Sequence, residues 1–366
     1  MPKQILNIAM IGSGFMGRLH SNAFHQVGHF FDSSYDLHRK AICGRDRSKL
    51  EAMASKWGWE EIETDWQKVV ARSDIQIVDV AVPNALHAPI AIAAAKAGKI
   101  VLCEKPLAVS VEEAEQMAEA AKNIPNLVWF NYRRVPAITF AKKLIAEGKL
   151  GQPYHYRAVY LNQSGNDPSK TNTWRYARSQ AGSGAIGDLL SHVVDLALYL
   201  NGPIFELNAM AHTFAAGRDV DDAAVILVRF ANGSIGSFEA TRYGVGCRNR
   251  HTFEMNGSKG MLSFDFEEMN RLKFYDATDA PNLQASRNLM VTGPDHPYWQ
   301  NFWKPGHALG YEHTFIASLG DFLNTLDAEP CGMSRFHPNF EDGVAVQKIL
   351  DAVARSASTR SWVRLS

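Results

Sequence analysis

Three stretches of this 366-residue chain carry side chains whose types and spacing suit chemistry. In GAIGDLLSHVVDL, Asp188 and His192 stand four residues apart and Asp195 three further on, so a helix through the segment puts them on one face. A histidine near its ordinary pKa is the usual acceptor of a proton from an alcohol. The plainer alternative is a capped core helix, with Asp188 as its N-terminal acid and His192 packed inside. In KIVLCEKPLAV, an apolar strand-like run stops at Glu104, Lys105 and Pro106. Proline cannot donate to a sheet ladder, so the strand ends there, and the lysine is either a solvated strand end or a working group. Gly12-Ser13-Gly14-Phe15-Met16-Gly17 has GxGxxG spacing directly after a strand and at the opening of a helix. Gly12 permits the tight turn, Gly14 lets a pyrophosphate approach the backbone, and Gly17 lets helix pack on strand. The N–H groups of the helix start attract phosphate, and in this context the motif reads as dinucleotide-binding.

The elements that must position these groups follow from periodicity. Up to about residue 130, apolar runs (ILNIAMIG, RKAICGR, IQIVDVAV, KIVLCEKP, NLVWFNY) alternate with helical periods (MGRLHSNAFHQV, DRSKLEAMASKWG, ALHAPIAIAAAKAGK, SVEEAEQMAEAAKN). That alternation demands a doubly wound parallel sheet, an α/β Rossmann domain over residues 1–131. GHFFDSSYDLHRK reads as an extra loop after the first helix, and Ser110 to Glu113 (SVEE) as a capping box. Residues 132–366 change character. A helix (PAITFAKKLIAEGKLG), a strand (YHYRAVYL), a polar loop and the helix through GDLLSH give way to alternating runs with NG turn signals. Two helical segments end the chain. The second domain is therefore expected to be α+β, a mostly antiparallel open sheet flanked by helices. Its last helices can pack back on the first domain, and an open sheet face favours a homodimer or homotetramer.

Composition excludes several classes. Lys+Arg and Asp+Glu are 38 each, for zero formal net charge, and no basic stripe appears, so neither nucleic acid nor an anionic membrane surface is an expected partner. Cys43, Cys103, Cys247 and Cys331 are scattered, as reduced thiols of a cytoplasmic protein are. No signal peptide is legible and no stretch approaches transmembrane length. His307, Tyr311 and His313 form a late cluster, but no carboxylate or cysteine spacing supports a metal site, so none is expected.

The second strand ends Ile42-Cys43-Gly44-Arg45-Asp46. Gly44 and Arg45 occupy the place of the acid that would hold a ribose 2′-hydroxyl, and an arginine there accepts a 2′-phosphate, which favours NADP. Asp46, one residue on, either serves NAD or caps the next helix.

After the glycine loop come Pro83-Asn84-Ala85-Leu86-His87, Glu104-Lys105-Pro106, Asn131-Tyr132-Arg133 and Gly187-Asp188-Leu189-Leu190-Ser191-His192, in that order. Together the five motifs resemble the Gfo/Idh/MocA family of sugar and inositol oxidoreductases over essentially the whole chain. The resemblance implies hydride transfer between NAD(P) and a secondary hydroxyl or ketone of a sugar, anhydrosugar or cyclitol. It implies that Lys105, after which the peptide bond is cis, projects into a cleft beside the nicotinamide and stabilises charge on the reacting oxygen. His192 would take the hydroxyl proton and Asp188 would bind substrate hydroxyls, with the division of labour among the trio open. Pro83, Asn84, His87, Glu104 and Asn131 fall on the cofactor side, Glu104 also anchoring the turn. Tyr132, Asn162, Trp174 and Arg175 fall on the substrate side, an aromatic face and a forked donor suiting a sugar ring. Arg133 ends the same strand as Tyr132, and Asp195 reads as a buried structural hydrogen-bonder. Two alternatives use the same fold: an NAD-dependent glycosidase working through transient C3 oxidation and elimination, and a non-enzymatic sugar or cofactor sensor. The joint presence of Lys105, Asp188 and His192 argues against the sensor.

Overall fold

Strand runs such as IVDV and IVLC, apolar on both faces but for one aspartate, require cover from helices on both sides. In the computed structural model, which describes residues 3–167, 173–328 and 336–365, they receive it. The chain forms two compact units, Met1–Asn131 with Gly310–Gln347 and Tyr132–Leu309 with Lys348–Ser366. In the first unit β1 (Gln4–Ile11), α1 (Phe15–Phe30), β2 (Tyr35–Cys43), α2 (Arg47–Trp57), β3 (Glu61–Glu63), α3 (Trp66–Ala71), β4 (Ile77–Val80), α4 (His87–Lys96), β5 (Ile100–Cys103), α5 (Val111–Ala120) and β6 (Asn126–Val128) follow one another. The six strands pair in parallel in the order β3-β2-β1-β4-β5-β6. The order reverses between β1 and β4, and α/β sheets bind ligands at such a switch point.

Two local expectations need correction. The segment GHFFDSSYDLHRK is not a loop: α1 runs on to Phe30 and β2 begins at Tyr35. Phe24 and Val27 are buried and keep the helix anchored through Gly28, while the first half of β2 alternates exposed Asp36 and His38 with half-buried neighbours. The edge strand β3 gave no hydrophobic signal because two of its three residues are glutamates. Ser110 caps α5 by accepting the Glu113 N–H, and the Glu113 carboxylate reaches back to the Val109 N–H.

The second unit holds α6 (Pro136–Ala146), β7 (Pro153–Leu161), α7 (Arg178–Ala181), α8 (Ser191–Asn201) and the strands β8 (Ile204–His212), β9 (Ala223–Phe230), β10 (Ile235–Thr241), β11 (Arg250–Gly257), β12 (Gly260–Asp265), β13 (Arg271–Asp276), β14 (Arg287–Met290) and β15 (Val363–Arg364). They form a nine-stranded sheet, β14-β13-β12-β11-β7-β10-β9-β8-β15, antiparallel except where β7 meets β10. Asn232-Gly233 turns the β9-β10 hairpin its sequence announced, Gly233 with φ of +87°, whereas Asn256-Gly257 stays in β11 and Ser258-Lys259 makes the turn to β12. One face carries the core: Tyr156 meets Phe230, Phe238 and Phe253, each with ring centroids 6.0 Å away. Such pairs add about 0.5–1.5 kcal/mol each beyond their buried area. The other face leaves Met210, Val225 and Leu227 exposed. α9 (Tyr311–Ala328) belongs to the first unit, and α10 (Phe340–Thr359) runs from the first into the second.

The helical stretch Arg178–Asn201 is, by length and composition, apolar enough to cross a membrane, contrary to the sequence expectation. Its most apolar 18-residue window is 78% buried inside the protein, which explains its apolarity as that of a core helix. Cys331 lies outside the described residues.

Candidate active site

The glycine loop meets three separate geometric demands. Gly12 has φ of +129°, and a Cβ there would lie 2.1 Å from the Ala81 carbonyl oxygen. A Cβ on Gly17 would stand 2.5 Å from the Gly12 oxygen, so helix and turn touch only because both are glycines. At Gly14, by contrast, a Cβ would meet nothing within 4 Å, and no side chain caps α1 there. Space and N–H groups thus open together at a helix start, between the ends of β1 and β4, where the Ala81 N–H donates to the Ile11 carbonyl. The residues present fit a dinucleotide pyrophosphate. Phe15 projects from the opening turn, 56% exposed, under the Arg18 guanidinium. Met16 follows it in the same turn.

Asp46 caps α2: it accepts the Ser48 hydroxyl and the Lys49 N–H, which hold its carboxyl down at about 2. Gly44 packs against Leu50, and Arg45 between them is exposed.

Around Lys105 the first unit builds a buried polar network. The Lys105–Pro106 peptide is cis. The Lys105 N–H donates to Glu104 Oε2 at 3.0 Å, and Glu104 Oε1 faces His20 Nε2 at 3.0 Å. His20 Nδ1 faces Asp79 Oδ2 at 2.8 Å, while Trp129 Nε1 donates to the other Asp79 oxygen at 2.9 Å. His20 stacks on Trp129 at 4.4 Å. Burial alone would lower the His20 pKa, but the Asp79 and Glu104 carboxylates outweigh it and push it up to about 9. On the other side of the turn, His87 is fully buried, with Nδ1 3.0 Å from the Pro106 carbonyl and Nε2 3.0 Å from that of Val82.

Residues expected on the cofactor side also have partners within the protein. His87 and Glu104 direct their polar atoms into the protein, where they fix the backbone around Lys105. Asn131 donates its amide to Thr314 Oγ1. Pro83 and the buried Asn84 form the turn after β4, the Leu86 N–H donating to the Pro83 carbonyl. His20, Asp79 and Trp129 were missed from sequence. An aspartate in the middle of a wholly buried strand was the available signal, since such an acid must find partners.

In the second unit, Ile186–Leu190 winds as a π-helical turn before α8, so Asp188 sits on a wider turn than a plain helical face would give. The helix start is capped by Asp221, whose carboxylate accepts the Gly184 and Ile186 N–H groups; Asp188 is not the cap. A Cβ on Gly184 would be 1.7 Å from the Asp221 carbonyl oxygen, which brings that loop in tight. Asp188 is instead partly exposed (29% for its side chain) and accepts from Arg242 at 3.0 Å. Arg242 is buried; it also donates to the Arg175 carbonyl and stands over the Tyr176 ring. One guanidinium therefore ties Asp188 to the Trp174-Arg175 loop. Arg242 went unnoticed because an arginine at a strand end is ordinary in sequence.

His192 is buried with its ring centroid 4.6 Å from that of Tyr132. The Tyr132 hydroxyl lies 2.9 Å from that of Tyr160, which donates to Asn249. His251 stacks nearly parallel on Tyr160 at 4.6 Å, and burial pushes its pKa down to about 3, so it stays neutral. Tyr132 thus backs the His192 ring. Arg133 is turned inward, with two bonds to the Asp195 carboxylate from Nε and a third at 2.6 Å from Nη2, so this strand-end arginine is structural, as is Asp195. Asn162 accepts the Ser164 N–H and hydroxyl and shapes its own turn. The exposed Arg175 lies 4.6 Å over the ring of half-buried Trp174. His307 turns Nδ1 to the Lys304 carbonyl, and His313 accepts the Gly310 N–H at the start of α9. Among the described residues, no group of three His, Cys, Asp or Glu could hold a metal ion.

A dinucleotide loop on a parallel sheet, followed by a mostly antiparallel sheet beside a helix bearing an Asp-His pair, defines a two-domain NAD-binding oxidoreductase. The family model for the oxidoreductase family, NAD-binding Rossmann fold, matches residues 6–132, and that for the GFO/IDH/MocA C-terminal domain matches residues 138–263. The chain belongs to the Gfo/Idh/MocA family. It is 40% identical to levoglucosan dehydrogenase from Pseudarthrobacter phenanthrenivorans over 98% of each chain. Among solved structures, levoglucosan dehydrogenase in complex with NADH and levoglucosan superposes with a TM-score of 0.95 at 40% identity, covering 99% of this chain and all of that one. An oxidoreductase domain protein from Kribbella flavida superposes with the same TM-score at 45% identity, covering both chains completely.

Proposed function

We propose that this protein is an NAD(P)-dependent dehydrogenase that oxidises a secondary hydroxyl of a pyranose or 1,6-anhydro sugar such as levoglucosan, and reduces the corresponding ketone in reverse. The observation that carries the reading is the glycine loop, which meets each demand of a dinucleotide site in a chain alignable end to end with levoglucosan dehydrogenase. The bound dinucleotide supplies the hydride acceptor. Gly12, Gly14, Gly17 and the N–H groups of Phe15 and Met16 would hold its pyrophosphate, and Pro83 and Asn84 would flank it. Lys105 stabilises the negative charge that develops on the substrate oxygen. His192, its ring backed by Tyr132, accepts the hydroxyl proton. Asp188, oriented by Arg242, accepts hydrogen bonds from neighbouring sugar hydroxyls, with Trp174 and Arg175 at the rim. The site lies in a cytoplasmic enzyme, and the exposed row of Met210, Val225 and Leu227 is the face a second copy would cover in a homodimer or homotetramer.

A panel of sugars, anhydrosugars and cyclitols incubated with NAD and with NADP tests this directly. Net formation of reduced nicotinamide on levoglucosan or a free pyranose is expected. Cleavage of a glycoside with no net reduced cofactor would replace the reading with the oxidation-elimination glycosidase.

For the choice of dinucleotide, Asp46 is engaged as a helix cap and Arg45 presents an exposed guanidinium, which supports NADP. The NADH complex of levoglucosan dehydrogenase supports NAD instead. Arg45→Ala should raise KM for NADP about 10-fold and leave KM for NAD unchanged, the worth of one charge-assisted bond. A wild-type enzyme that strongly prefers NAD would overturn the assignment.

A further inference from the structure

We propose that His20 is a positioning residue for Lys105: a cationic strut between Asp79 and Glu104 that fixes the main chain from which the lysine projects. The proposal rests on the role given to Lys105 above.

The groups around His20 come from every layer of the first unit. Asp79 comes from the middle of β4, Glu104 from the end of β5, Trp129 from beyond β6 and Phe315 from α9. The ring is 0% exposed, as is Asp79, and the Glu104 side chain is 6% exposed. Both ring nitrogens face a carboxylate oxygen within 3.0 Å, and only an imidazolium can donate to both. The raised pKa of His20 agrees with that protonation state.

The cluster therefore carries two buried negative charges and one positive charge, with Trp129 supplying a further donor to Asp79. Its outer end is the Glu104 Oε2 that receives the Lys105 N–H. Replacing His20 by a neutral residue leaves two carboxylates buried without their cation, which is strongly unfavourable. They must move apart or take up a proton, and either response disturbs Glu104. Lys105 follows, because its N–H is bonded to that carboxylate. A displacement on the order of 1 Å at a reacting group can cost about 100-fold in rate.

His20 is fully buried and acts through Lys105, so a test must separate positioning from general damage. His20→Gln is expected to lower kcat by about 10- to 100-fold while leaving the Kd for NADH, from fluorescence titration, within about twofold. In a Lys105→Met background, single-turnover rates should show no further loss on adding His20→Gln, because the residue acts only through the lysine. Should His20→Gln fail to fold, Glu104→Gln removes the charge partner while keeping an amide oxygen for the Lys105 N–H, and the same two readouts apply. Equal rate losses in both backgrounds, a loss confined to NADH affinity, or unchanged kcat would each overturn the proposal. If Lys105→Met itself retains normal kcat, the catalytic reading fails first. If Lys105→Met is impaired and the losses are additive, that reading stands and the strut falls.

Discussion

Lys105→Met is expected to lower kcat by about 1000-fold or more while NADH binding stays within about twofold of wild type. Methionine keeps the length and much of the apolar contact of the lysine stem but carries no charge to meet an alkoxide. A 1000-fold loss corresponds to about 4 kcal/mol of transition-state stabilisation, within reach of one preorganised cation. The dinucleotide loop is built from Gly12, Gly14 and Gly17, so the substitution leaves its geometry alone. Pre-steady-state measurement of nicotinamide reduction, alongside a fluorescence titration with NADH, separates the two effects. A variant with near-normal turnover would remove Lys105 from the mechanism.

His192→Ala should cost about 100- to 10,000-fold in kcat, the usual range for a general base. The ring lies against Tyr132 at 4.6 Å, so its removal also leaves a void, and some loss of thermal stability will accompany the kinetic effect. Added imidazole distinguishes the two consequences: a mobile base that enters the void restores part of the rate and does not restore packing through Tyr132. Activity at wild-type level without imidazole would transfer the proton to another acceptor, with Lys105 the first to examine. Tyr132, Tyr160 and His251 pack around this ring, and burial holds His251 neutral.

The fold was legible where a single physical rule decides. Buried parallel strands must be apolar on both faces, hairpins need Asn-Gly at the turn, and a dinucleotide loop needs glycine at three places for three reasons. Each rule left its mark in IQIVDVAV, in Asn232-Gly233 and in GSGFMG. Where an element is held by what it touches, the local sequence said less. The edge strand β3 is two glutamates around an isoleucine, and α1 persists through Gly28 because Phe24 and Val27 are buried.

Sequence alone determined which groups are candidates for the site: Lys105 after a strand that must stop, Asp188 and His192 four residues apart, and the glycines before them. Only the tertiary structure decided what each neighbour does. It put the cap of the GDLLSH helix on Asp221 and so released Asp188 to face Arg242. It turned Arg133 inward to Asp195, and joined Glu104 through His20 to Asp79. The physical reason is the same in each case. Buried charges and donors must be satisfied, their partners lie tens of residues away in the chain, and no local pattern records which partner the packing supplies.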